Sequence, residues 1–340
     1  MQSQEAQQAL TLQSKLLSIS DLDRVPEALW QSLCVEAERT TEQAFLGNRT
    51  ALFDFHSTLH LLLCTHQAMP HTWGAIQHGS TRAFALRKEF FSAYMESELD
   101  RLTELALPAV PGNPGRLVEY LLEISAEHPA SCHPIFDYLR SDATLHEVKS
   151  FFYQESSVDT RFDDLIALAQ IGTDGTVKDE FAHNFSDEMG HGDPNRVHSL
   201  LFSRTAEYIS RFQGQDKGDL MIPYTETLAC SNMQLGMALS RRHVWRLAGY
   251  LAAFELYATD RCRRLVDACV RLGMDVSQLE YLTEHIDADV GHARGLFQEV
   301  IEPMAASDTR APLEITQGFL LRLQTSQAYC DEMLRQFLTH

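Results

Sequence analysis

The chain has 340 residues, 44% of them apolar, and a formal net charge of −19. That length suits one large domain or a domain with an appendage, and the acidity opposes binding to nucleic-acid phosphates. No apolar run approaches the roughly 18 residues of a membrane span, so no membrane partner is expected. Seven scattered cysteines form no Cys-x-x-Cys pair, the pattern of reduced thiols rather than of a disulfide frame or zinc cage. The N-terminus is polar and acidic and lacks the basic and apolar regions of a secretory leader, so a cytoplasmic protein is expected.

Helical periodicity runs along most of the chain, and turn-bounded alternation is nearly absent, which predicts an all-α fold. In the N-terminal part, "ALFDFHSTLHLLLC" (51–64) and "FALRKEFFSAYMESEL" (84–99) are amphipathic. Their apolar faces need cover from the same chain or from a second copy in a homodimer. His56, His60, His66 and His71 have no carboxylate at matching spacing and read as packing or surface histidines. "LPAVPGNPGR" (107–116) is the natural seam. It divides an N-terminal helical region, 1–110, from the main domain, 111–340.

Beyond the seam, "KSFFYQESSVDTRFDDL" (149–165) carries Glu155 after an aromatic run, with Asp159 and Asp163 on nearby turns. "GTDGT" (172–176) is a turn between helical patterns. In "SDEMGHGDPNRVHSLLF" (186–202), glycines and a proline interrupt a segment that is helical on both sides. Such a break is either a loop or a bend that re-aims Glu188, His191 or His198 at a site. A long amphipathic helix spans 241–273 and carries Glu255 inside the apolar "GYLAAFELY". A buried charge there is either paired, for instance with Arg261 or Arg263, or ligating. A last helix spans 311–338.

The strongest chemical signal is "EHIDADVGHA" (284–293). At about 100° per residue, Asp289 and His292 fall within about 40° of His285 on one helical face. Two imidazoles and a carboxylate suit iron, manganese or zinc; the alternative is three solvated residues on a surface helix. Two ligand schemes are open from the residues alone. A ferritin-like bundle would use Glu188 with His191 and Asp289 with His292. A second scheme uses His198 in place of His191, across the helix break. Hydrolase, P-loop and dinucleotide motifs are absent.

The C-terminal block, about 117–335, resembles the haem-oxygenase-like diiron oxidases, or iron-containing redox enzymes. "FYQE", "DEMGHGDPNRVHSLLF", "GYLAAFELY" and "HIDADVGH" carry the resemblance. It implies a haem-oxygenase-like seven-helix bundle with an additional N-terminal helical region. It also implies two irons held by Glu155, Glu188, His198, Glu255, His285, Asp289 and His292, with His191 outside the set. Implied too are O2 as co-substrate and a small amine or amino-acid-derived substrate in specialised-metabolite biosynthesis; the electron source is left open, an external electron donor being one option. The apparent four-carboxylate set resembles the nitrogen-oxygenating members; oxidative C–C cleavage or decarboxylation is the alternative, and a non-catalytic ferritin-like iron protein a further one. Haem degradation fits poorly with so acidic a chain and a competing carboxylate set. Asn184 and Asp187, near Glu188, are candidates to orient the ligating imidazoles.

Overall fold

The computed structural model describes residues 11–72, 79–105, 107–158, 161–214 and 221–339, with only the backbone of 287–290. Among the described residues there are fifteen α-helices and no strand, and no helix is long and apolar enough to cross a membrane. All seven cysteines are free thiols. The chain divides into two compact units, 1–100 and 101–340.

The first unit contains α1 (Leu12–Leu17), α2 (Glu27–Phe45), α3 (Arg49–Gln67) and most of α4 (Thr81–Thr103). The starts of α1, α3 and α4 are capped by side chains, which satisfy orphan N–H groups. Asp54 accepts from the backbone N–H of Leu12 and Gln13, and Asp23 accepts from those of Thr81 and Arg82. Phe55 stacks on Phe90, and His56 packs edge-on against Tyr94. His56 is thus a packed core histidine, as its sequence setting predicts.

The second unit runs through α5 (Pro114–Ala126), α6 (Pro134–Ser141), α7 (Leu145–Glu155), α8 (Phe162–Gln170), α9 (Gly175–Glu188) and α10 (His198–Arg211). It continues with α11 (Thr225–Ala238), α12 (Val244–Arg271), α13 (Glu280–Gly295), α14 (Glu302–Ser307) and α15 (Ala311–Thr339). A π-helical turn, Leu296–Ile301, joins α13 to α14. Helix α12 is the axis, packing most extensively against α15 and α13. It stops where the sequence predicts: Gly273 adopts φ +87°, Met274 N–H donates to the Cys269 carbonyl, and Gly273 N–H donates to that of Val270. This paired closure is the Schellman motif, which favours glycine at the left-handed position.

The α12–α15 crossing brings two backbones into contact. A Cβ on Gly249 would overlap the Ile315 carbonyl, and a Cβ on Gly318 would overlap that of Arg246. Neither obstacle is a side chain that can swing away. Gly318→Ala is therefore expected to cost roughly 1–3 kcal/mol through overpacking, read by urea denaturation. A variant as stable as the wild type would mean that the two helices can separate freely.

Candidate metal centre

Four helices of the second unit supply the site. Glu188 ends α9 and His198 begins α10, so the break between them decides whether they meet. Gly190, His191 and Gly192 all adopt left-handed backbone, with φ +62°, +53° and +90°. Glycine takes this region without penalty and histidine is among the residues that tolerate it. Gly190 has a second reason to be glycine, because its Cβ would stand 2.6 Å from the Arg196 carbonyl carbon. The chain folds back tightly here and sets His198 Nδ1 at 3.0 Å from Glu188 Oε2. His191 is left largely exposed, with Nδ1 3.3 Å from Asp187.

Glu255 points inward from the middle of α12, and His285 and His292 from α13. Glu188, Glu255 and His292 are only 2%, 3% and 4% exposed. The side chains form two buried groups whose ligand atoms lie within 4.8 Å of one another: Glu188, His198 and His285, and Glu188, Glu255 and His292. Glu188 belongs to both. Five of the seven residues singled out in the sequence are thereby brought together.

The other two differ. The Asp289 side chain lies outside the described residues. Glu155, at the end of α7, is buried but belongs to neither group; its Oε2 accepts from Arg261 Nη2 at 3.0 Å. Asp163, in the first turn of α8, lines the same small cleft as Glu188, His198, Glu255 and His285, and Ser199 Oγ lies 3.5 Å from it. The sequence carried Asp163 only as a neighbour of Glu155. The signal that could separate the two is helix position, since Asp163 follows the turn and starts a new helix.

The hydrogen bonds prepare the imidazoles for a cation. His285 Nδ1 lies 2.7 Å from the Tyr281 carbonyl; a carbonyl can only accept, so Nδ1 carries the proton and Nε2 keeps its lone pair. His292 Nε2 lies 2.8 Å from Asp187 Oδ2, which directs Nδ1 toward Glu255 Oε2, 3.8 Å away. His198 Nε2 faces Glu284 at 3.7 Å, and Glu284 is itself ion-paired with Arg196. His285 and His292 thus each have an outer hydrogen-bond partner that fixes the ring, the usual arrangement around a metal. Asn184, one turn before Glu188, is fully buried.

Electrostatics agree. Burial drives the His285 pKa down to about 4, so the ring is neutral at pH 7. Burial also lowers His198, but the Glu188 and Glu284 carboxylates more than reverse it and its pKa rises. Burial raises the Glu255 carboxyl, opposed by His292, and raises Asp163, with Asp164 and Glu188 adding to the effect. His198 Nδ1 is buried and makes no hydrogen bond with any described residue, despite its 3.0 Å approach to Glu188. Buried polar atoms that converge without satisfying one another are costly. A cation between them removes the cost, and mixed carboxylate and imidazole ligands suit iron.

Two cavities adjoin these residues. One, of about 30 Å³, is lined by His285, Tyr281, Phe254, Glu155 and Arg261. The other, of about 410 Å³, reaches Glu255 and is lined by Leu122, Leu256, Phe297 and Gln298. The π-helical turn that follows α13 contributes Phe297 and Gln298, and such turns often occur at functional sites.

This is an all-α bundle with a buried carboxylate and histidine centre able to hold metal. A model of the family described as iron-containing redox enzymes matches residues 149–327, and the chain belongs to that family. The fold is the haem-oxygenase-like one that the sequence resemblance implies. Among solved structures the chain is similar to a CADD-like protein of unknown function from Nostoc punctiforme. The two are 18% identical with a TM-score of 0.52, over 66% of this chain and 97% of that one, a likeness that bears on fold alone. A search of curated proteins finds no match.

Removing an outer partner should loosen the centre without dismantling it. Asp187→Ala is expected to weaken Fe(II) affinity by about 10- to 100-fold, measured by competition with a chelator, whereas His191→Ala should leave it unchanged. Equal losses in the two variants would shift the assignment from His198 back to a Glu188 and His191 pair.

Proposed function

We propose that the protein is an O2-dependent non-haem diiron oxidoreductase that oxygenates nitrogen in a small amine or amino-acid-derived metabolite. The observation that carries this reading is the pair of buried groups sharing Glu188. One carboxylate common to two sets of donors is what two adjacent cations need. Glu188, His198 and His285 would hold one iron; Glu188, Glu255 and His292 would hold the other. Asp163 is a further carboxylate within the same cleft, and Asp289 shares the α13 ligand face by sequence spacing.

Two ferrous ions, when bound, supply two electrons to O2. The chain's own residues do the rest. Asp187 and the Tyr281 carbonyl hold His292 and His285 in one tautomer and one orientation. Phe162 and Phe254, stacked with ring centroids 4.4 Å apart, give the cleft an aromatic wall. Burial keeps the His285 ring neutral and available as a ligand.

The engagement of Glu155 with Arg261 favours a second reading, oxidative C–C cleavage, because it removes one carboxylate from the expected set. Asp163→Asn separates the two. A loss of iron affinity in that variant restores a four-carboxylate set and supports nitrogen oxygenation; unchanged affinity supports C–C cleavage.

Anaerobic Fe(II) titration of the metal-free protein is expected to saturate at two irons per chain, and admission of O2 should then produce uptake that small amines accelerate. Glu255→Gln should retain only one tightly held iron. One iron or none in the wild type would overturn the diiron reading, and uptake indifferent to every amine tested would favour iron storage over turnover.

A further inference from the structure

We propose that Glu155 and the aromatic cavity around it seat the ammonium end of a primary-amine substrate beside His285. The inference rests on the proposed function and names the recognition element of that same site. Glu155 is 3% exposed. Its Oε2 is occupied by Arg261, which also donates to Tyr329 Oη at 2.7 Å and lies over the Phe136 ring. Its Oε1 is buried and accepts no hydrogen bond from any described residue. An orphaned carboxylate oxygen in apolar surroundings is expensive, and a donor is what relieves it.

The cavity at Glu155 selects the donor. Phe152, Phe202, Phe254 and Tyr281 line it, and aromatic faces attract cations. Its volume of about 30 Å³ exceeds the roughly 10–15 Å³ that one water needs, so a single ammonium group fits and a bulkier head does not. Arg261 also lines the cavity but is engaged by Glu155 Oε2 and Tyr329; the acceptor left open is Glu155 Oε1, which an ammonium N–H can satisfy and a substrate carboxylate cannot. Phe254, Tyr281 and His285 line both this cavity and the cleft at Glu188 and Glu255, so an amine held here stands next to the metal centre. The 410 Å³ cavity at Glu255 is the rival seat, but its lining carries no buried side-chain acceptor that lacks a partner among the described residues.

The test is calorimetric titration of the full-length protein with n-butylamine, n-butanol and butyrate, in the metal-free form and in the anaerobic iron-loaded form. Wild type is expected to bind n-butylamine in both forms and to bind neither of the other two. Glu155→Gln, which keeps an acceptor for Arg261, should lose at least tenfold in amine affinity while holding the wild-type number of irons. Ala258→Leu fills the cavity from α12 without changing charge and should abolish amine binding; it decides the matter if Glu155→Gln fails to fold by circular dichroism. No amine binding by the wild type, amine binding that survives both variants, or equal binding of n-butanol would each overturn the proposal. Loss of iron in Glu155→Gln would overturn it differently, by making Glu155 a metal ligand. A wild type that binds n-butylamine when metal-free but fails to hold two irons would leave the amine seat standing and remove the diiron reading.

Discussion

A carboxylate that is almost entirely buried must be neutralised, and Glu188 is the point at which this constraint shapes the molecule. The cost of an uncompensated buried ion is several kcal/mol. Here Glu255 stands on the other side of the shared centre and Asp163 lines the same cleft, so the negative charges repel as well as lack water. The imidazoles offset only part of this charge: His198, its pKa raised by the carboxylates beside it, stands 3.0 Å from Glu188, but burial keeps His285 neutral. A divalent cation would offset the rest. Four helices from distant parts of the chain meet around that one requirement, so a cation held there would add to the stability of the bundle.

Helix α12 shows how one element serves several demands. Gly249 lets α15 approach until the backbones touch. Glu255 belongs to one of the two buried groups that could hold a metal. Phe254, Ala258 and Arg261 face the small cavity. These residues lie on adjoining sectors of a helix that turns about 100° per residue, so any shift or rotation of α12 would move all three surfaces together. The glycine contact with α15 lies six residues before Glu255 on the same helix, less than two turns away.

The sequence made some of this legible because the information was local. His285 and His292 occur on one helical face by spacing alone, and the long helix around Glu255 could be read with its glycine stop. The pairing of Glu188 with His198 was not readable from periodicity, which left His191 equally eligible. Its cause is a run of left-handed residues at 190–192 and the return of Arg196 against Gly190, and neither has a periodic signature. The resemblance to a family supplied what local pattern could not. The role of Asp187 was only half legible: its nearness to Glu188 was visible, but its hydrogen bond to His292 crosses from α9 to α13.

Glu155 and Arg261 show where pattern reading missed a constraint that was present. The sequence offers Arg261 as a partner for Glu255, six residues before it on the same helix. At about 100° per residue, that offset separates the two side chains by about 120° around the axis, so they face different neighbours and cannot readily pair. Arg261 instead meets Glu155 on α7, which keeps Glu155 out of the metal-binding groups and leaves Glu255 to the metal-binding face. The two glutamates are equally buried, but Glu155 has an arginine partner, whereas Glu255 has no lysine or arginine partner among the described residues and only His292 at 3.8 Å. That difference in counter-charge, more than burial or proximity, separates Glu155 from the carboxylates of the two buried groups that could hold metal.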